Sequence, residues 1–263
     1  MKSAKFRKTG LFSDNWWRIL NSKKLFAAFI ALFVIFALLQ AIIYSVSAAP
    51  IGPDTLTPVS SSRRAESPAL NTTAIAGNVT ALEINVTQVT QSWQGYYGNV
   101  SGVITLDDAN NKSMYSWTDV SPAGEVYAVR TPNSVSWASI NCSTLTQIST
   151  EETALNIGAT DKDGINETFN KTLSNTFYIG ALNMTAGTCQ YSQFLYENDA
   201  PAVNNYFEEV LLHDGTYIVY TAIINQNKAG FDAGAHDFQM LVGEDGHNGN
   251  SAVSNYYFYV ELG

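Results

Sequence analysis

Catalysis needs nucleophiles, bases or metal ligands at workable spacing, and this chain offers few. Its histidines are three, His213, His236 and His247. None forms an HxxxH pair, no Gly-x-Ser-x-Gly elbow accompanies them, and each lies in or beside a turn: His213-Asp214-Gly215, Ala235-His236-Asp237 and Asp245-Gly246-His247. They read as surface turn residues, and no catalytic residue is assigned. Paired acids at Asp107/Asp108, Glu151/Glu152 and Glu208/Glu209 are of the type that flanks a glycosidic bond. Adjacent acids on a strand point to opposite faces, so none of these pairs is a ready-made dyad. The best metal candidate is Asp161-Lys162-Asp163-Gly164-Ile165-Asn166-Glu167, where Asp161, Asp163 and Glu167 could wrap a calcium ion at about 2.4 Å. The full twelve-residue calcium loop with its distal Glu is lacking, so a solvated acidic turn competes with that reading. No other cofactor is indicated. Trp93, Tyr96, Tyr97, Trp117 and Trp137 could form a sugar-stacking platform, although packing is the commoner use of aromatics in a β-rich chain.

Two chemistries of an oxidising, exported environment are better supported. The chain has two cysteines, Cys142 and Cys189, and outside the cell the simplest expectation is that they pair. No CxxC or Cys/His spacing points to zinc or redox catalysis. The acceptor motif Asn-x-Ser/Thr occurs at Asn71, Asn78, Asn85, Asn99, Asn111, Asn141, Asn166, Asn170 and Asn183. Nine sequons are about twice the number that chance would give for this composition, which favours a glycosylated surface over residues 71–185. Asn166 cannot easily serve as both sugar acceptor and calcium ligand. Residues 186–263 carry no sequon, which leaves a bare part where protein contacts could form.

The elements that must carry these residues divide unevenly. Of 263 residues, 46% are hydrophobic and only 14% charged, which excludes wholesale disorder. The net charge of -9 averages two unlike parts: residues 1–24 hold seven of the 14 basic residues against Asp14 alone, for +6, and the remainder is -15. An acidic body offers nucleic acid no electrostatic footprint. Residues 25–46, LFAAFIALFVIFALLQAIIYSV, carry no charge; as a helix they would span about 33 Å, enough for a bilayer core of about 30 Å. With basic residues before the run, the expected arrangement is a cytoplasmic tail at 1–24, a transmembrane signal anchor at 25–46 and an extracellular remainder. Ser47-Ala48-Ala49 leaves a cleaved, secreted form as the alternative. Residues 47–75 are rich in Pro and Ser and read as a linker to an ectodomain at 76–263, with a sub-boundary conceivable near 150–175.

Within that ectodomain the periodicity is that of strands. Leu82, Ile84 and Val86 alternate with Glu83, Asn85 and Thr87, as a half-buried strand would. Val100–Leu106 and Ser113–Trp117 should form a hairpin across Asp107–Asn111, and Gly124–Arg130 should pair with Val135–Cys142. The best helix is 149–157, with Ser149 as N-cap and Glu152 completing a capping box. Phe177–Leu182 returns to strand character. Tyr206–Leu212 and Thr216–Ile224 make a hairpin turned by Asp214-Gly215, and the nearly all-apolar Tyr217–Ile224 should be covered on both faces. Phe238–Val242 and Tyr256–Leu262 supply two more strands. The expected fold is mainly β: one N-terminal transmembrane helix, a linker, and an antiparallel β-sandwich.

The segments SPAGEVYAVR, VSWASINCS, GTYIVYTAIINQNKAGFDAGAHDFQMLVGEDGHNGN and YYFYVELG resemble uncharacterised membrane-anchored surface proteins of archaea. The resemblance implies an archaeal cell envelope and nothing about catalysis. The expected function is therefore non-enzymatic: structural, adhesive or filament-forming contacts at the cell surface, with the membrane and further surface proteins or copies of itself as partners. In the filament version, residues 70–89 would act as a donated strand. A carbohydrate- or ligand-binding module is the alternative, and an extracellular hydrolase the third reading.

Overall fold

A computed structural model describes residues 49–117, 122–131, 135–246 and 253–263. The expected transmembrane segment lies outside these residues; among those described, no helix is long and apolar enough to cross a membrane. Ala49–Gly263 forms one compact unit.

The apolar run expected to be covered on both faces is β10, Ile218–Ile223, and it occupies the middle of a six-stranded antiparallel sheet. On one side it pairs with β4, Gly124–Val129, and β4 with the edge strand β14, Tyr257–Leu262. On the other side it pairs with β9, Glu208–His213, whose far edge is shared by two short strands, β5 (Asn141–Cys142) and β8 (Ser192–Phe194). The β9–β10 connection is the expected turn: Gly215 takes φ +100°, and Asp214 Oδ1 accepts from the N–H groups of Thr216 and Tyr217.

Period two sends alternate residues of this sheet to two separate cores. One face presents Val126, Ala128, Leu211, Ile218, Tyr220 and Ala222. It is covered by the ribbon of β1 (Trp93–Gly98) with β13 (Phe238–Gly243) and by the helices α1 (Leu145–Ala154) and α2 (Ile165–Thr168). The opposite face presents Tyr127, Val129, Val210, Leu212 and Val219 beneath Leu173, Phe177, Ile179, Met184 and Cys189. This second cover includes the hairpin of β6 (Phe177–Ile179) and β7 (Leu182–Met184). Fully buried side chains such as Phe169, Phe207 and Leu212 contribute about 1.5–3 kcal/mol each, so both covers are needed to dry the central strands.

Two small pairs complete the unit: β2 (Ile104–Asp107) with β3 (Ser113–Trp117), and β11 (Lys228–Ala229) with β12 (Ala235–His236). The β2–β3 hairpin is the one expected, but its first strand starts only at Ile104. Asp108 Oδ1 ties its turn by accepting from the N–H groups of Asn110 and Lys112.

Several local expectations are corrected by longer-range pairing. β4 does not pair with Val135–Cys142; that stretch runs across the second core as a 3-10 turn, Trp137–Ser139, with the Trp137 ring edge-on to both Tyr127 and Tyr259. Only Asn141 and Cys142 reach a strand, β9. The helix begins four residues earlier than Ser149, because Thr144 and Gln147 form the box actually used: Gln147 Oε1 accepts from the Thr144 N–H at 3.0 Å. Phe177–Leu182 is not one strand; Gly180, at φ +56°, turns it into the β6–β7 hairpin. Gly124 opens β4 where a Cβ would stand 2.0 Å from the Glu261 carbonyl oxygen, so glycine there permits β4 and β14 to close. Finally, Leu82–Val86 has strand periodicity but pairs with nothing among the described residues.

Candidate functional site

The histidines are not brought together. His213 ends β9 and its Nδ1 accepts from the Gly215 N–H at 3.0 Å, a turn contact. His236 lies in β12, with Nε2 2.8 Å from Asp232 Oδ1 and its ring edge-on to Tyr97. His247 falls outside the described residues. Two of the three candidate calcium ligands, Asp161 and Asp163, are engaged within the protein. Asp161 Oδ2 accepts from the Gly158 N–H at 2.7 Å, and Asp163 Oδ2 accepts from the hydroxyls of Thr90 and Ser92. Glu167 is exposed, and its carbonyl oxygen accepts from Asn170 Nδ2. Among the described residues no three His, Cys, Asp or Glu side chains converge as a metal site. Asp163 instead clamps the entry to β1: its carbonyl oxygen accepts from Trp93 Nε1 at 2.6 Å.

The aromatics do not form one platform. Trp93 packs on Phe169, Tyr96 on Phe258, and Trp137 between two tyrosines. Trp117, beside Tyr115 at 5.0 Å, and Tyr97, beside Phe231 at 4.9 Å, are each exposed and paired with an exposed ring, in two separate places along the chain. Eight of the nine sequon asparagines are exposed, and Asn166 is half-buried. Cys142 and Cys189 are joined in a disulfide.

Sequence reasoning missed the burial and the partners of a set of acids inside the strands. Glu208 and Glu209, both fully buried, do diverge as adjacent strand residues must. Glu208 accepts from the backbone and side chains of Ser174 and Asn175 on one face. Glu209 accepts from the Leu241 N–H at 2.8 Å on the other, fastening β13 to the central sheet. Burial pushes the Glu209 carboxyl well above its usual range. Glu125 of β4 stands directly opposite Glu261 of β14, and the Tyr127 hydroxyl is 3.4 Å from Glu125 Oε2 and 3.3 Å from Glu261 Oε2. Burial, reinforced by the Glu261 charge, pushes Glu125 up to about 8. The only sequence signal for this pair was a Glu at positions where the alternation called for apolar residues.

A further acid holds the helix. Arg130 Nε and one terminal nitrogen each donate at 2.7 Å to the two oxygens of Glu151 on α1, a bidentate pair. The hydroxyl of buried Tyr220 lies 3.4 Å from the same carboxylate. Removing one partner leaves the other charge uncompensated near the core, and such losses cost about 3–5 kcal/mol when buried. With the Arg130 side chain 24% exposed, we expect Arg130→Met to lose about 2–3 kcal/mol in denaturant unfolding. Combining it with Glu151→Leu should restore most of that loss; an additive double variant would show that the two charges act independently.

The arrangement with most unsatisfied potential is a surface, not a cleft. From Gly52 to Gln91 nearly every residue is exposed, with no strand and no helix. Within that stretch Ile84 is 81% and Val86 85% exposed, although they alternate with polar neighbours as strand residues do. Every residue of the β2–β3 hairpin is exposed too, including Ile104, Leu106, Tyr115 and Trp117. Along the sheet edge, β14 reads YFYVEL with each residue only partly covered or exposed. Such edges usually carry Lys, Pro or a bulge to prevent pairing, and this one has only Glu261. Compared with known proteins, the chain matches no family model, no curated protein and no solved structure.

Proposed function

We propose that this chain is a non-enzymatic cell-surface protein, anchored by residues 25–46 and displaying a glycosylated β-sandwich ectodomain that works by self-assembly. The observation that carries this reading is Leu82–Val86: a strand-patterned apolar segment held in solvent without a partner. Burying those three side chains against another sheet would gain about 1.5–3 kcal/mol each, which is ample motive for association. Exposed sequon asparagines and the disulfide fit an exported, oxidising location. Residues 47–75 then act as a spacer between membrane and sheet, and the absence of sequons after Asn183 leaves β14 free of sugar.

The test is the oligomeric state of the full chain in detergent micelles, by light scattering across a hundredfold concentration range. Concentration-dependent assembly is expected, and Ile84→Asp should weaken it at least tenfold, because a charge would have to be buried in the new interface. A wild-type chain that stays monomeric throughout would remove the reading. The exposed Tyr115–Trp117 pair favours a second one, a carbohydrate- or ligand-binding module in which a sugar stacks on the hairpin. Saccharide binding abolished by Trp117→Ala, in a chain that does not self-associate, would establish that alternative instead.

A further inference from the structure

We infer that the acceptor for the free strand is the outer edge of β14 on a second copy, where Leu82–Val86 adds as an antiparallel strand with Ile84 opposite Val260. This rests on the self-assembly reading and specifies its receiving surface.

The edge already shows what it accepts. Val260 exchanges two backbone bonds with Ile51, at 3.1 and 2.8 Å, in antiparallel sense. Because backbone groups alternate sides along a strand, the same outward direction is taken by Phe258 and Leu262, while Tyr257, Tyr259 and Glu261 turn toward β4. Among the described residues, Val260 alone is satisfied on that side. Ile51 cannot extend its own ladder. The residue that would face Phe258 is Pro53, which has no N–H to give, and Ile51 is also preceded by Pro50. Ile51 is a one-residue placeholder on an edge six residues long.

Leu82–Val86 lacks that defect: no proline occurs between Pro68 and Pro122. With Ile84 opposite Val260, Leu82 meets Leu262 and Val86 meets Phe258, three pairs that each exchange two backbone bonds. The side chains agree as well. Phe258 and Val260 lie opposite Ala128 and Val126, members of the first core cluster, so the incoming Leu82, Ile84 and Val86 would extend that apolar face. Beyond it, Leu262 already packs against the chain at Gly102, where a Cβ would stand 2.2 Å away. The register also sets Glu83 opposite Glu261, whose protonated form burial favours, easing the contact between two acids.

A second copy is the occupant because each chain carries one unpaired strand and one edge capped only at Val260, different surfaces that satisfy each other between copies. Repeated from copy to copy, a contact between two different surfaces closes into a ring where its rotation allows and otherwise propagates into a filament.

Two versions of the full chain, differently tagged, test this: one bearing Ile84→Cys and the other Val260→Cys, mixed in detergent micelles and mildly oxidised. A disulfide-linked heterodimer is expected, at least tenfold above the adduct formed when Val59→Cys replaces Ile84→Cys. Val260→Pro, which removes an outward N–H while sparing the bonds to β4, should abolish assembly with Cys142–Cys189 intact and the unfolding midpoint little changed. If Ile84→Asp blocks assembly while neither the adduct nor the proline effect appears, the acceptor lies elsewhere and this inference falls alone. If the doubly substituted chain links to itself as a monomer, the occupant is the chain's own arm and the second copy is overturned. If the wild type never assembles, the underlying reading falls with it.

Discussion

Replacing Cys142 and Cys189 together by alanine is expected to lower the unfolding free energy by about 4 kcal/mol, the loop-closure value for a bridge of this span, and the melting temperature by roughly 8–16 °C. The bridge spans 47 residues and joins two places with little other backbone support. Cys142 ends β5, a strand of two residues on the edge of β9, and Cys189 lies fully buried in the second core. Between them the chain makes α1, α2 and the β6–β7 hairpin, so the same covalent link holds both the helix on one face and the hairpin on the other. The cover over Tyr127 and Val219 is made of three-residue strands and turns, tied by bonds such as Leu173 N–H to the Cys189 carbonyl oxygen at 2.8 Å. Reduction should therefore loosen this cover first. Hydrogen exchange should rise at residues 173–190 under conditions where β10 remains protected, and a uniform rise across both would instead make the bridge a global staple.

How much of this was legible follows from whether the deciding contact is local. β10 announced itself because it is apolar at nearly every position, as a strand covered on both faces tends to be, and its hairpin with β9 needs only the turn at Asp214-Gly215. The disulfide was legible because two cysteines in an exported chain have one simple fate. Pairings between distant segments were not. β4 lies between β10 and β14, strands that come some ninety or more residues later, and nothing in Gly124–Val129 names them. β1 escaped notice because Trp-Gln-Gly-Tyr-Tyr-Gly has no clean alternation; its position comes from Asp163 and from β13, both far along the chain. The converse error is the informative one. Leu82–Val86 has the best alternation in the N-terminal half and no partner, because periodicity reports a readiness to pair and not the strand that will do so.

Stability of the folded unit is expected to fall as pH rises from about 4.5 to about 8, and Glu125→Gln should remove much of that fall. Glu125 is 4% exposed, directly opposite Glu261 and beside Tyr127. Burial and then the Glu261 charge raise its carboxyl from an ordinary 4.5 to about 8, with only the Tyr127 hydroxyl favouring the charged form. An unfolded chain releases this proton near 4.5, whereas the folded chain keeps it until about 8. In that window the folded state binds the extra proton, so each step up in pH favours unfolding, by no more than about 1.4 kcal/mol per pH unit for one group. Across the window the loss is on the order of 4 kcal/mol. Below pH 4.5 both states are protonated and the term is constant. Glutamine has the shape of the protonated acid and no charge to release, so the variant should match the wild type near pH 4 and exceed it by several kcal/mol near pH 8.5. Buried Glu209, also raised by desolvation, adds a slope of the same sign that this substitution leaves in place. Denaturant unfolding at half-unit pH steps decides the matter: if the difference between variant and wild type is the same at every pH, Glu125 does not carry the proton. The same pair bears on assembly, since Glu261, whose charge raises Glu125 and whose carboxylate also faces the Tyr127 hydroxyl, lies on the strand proposed to receive a neighbour.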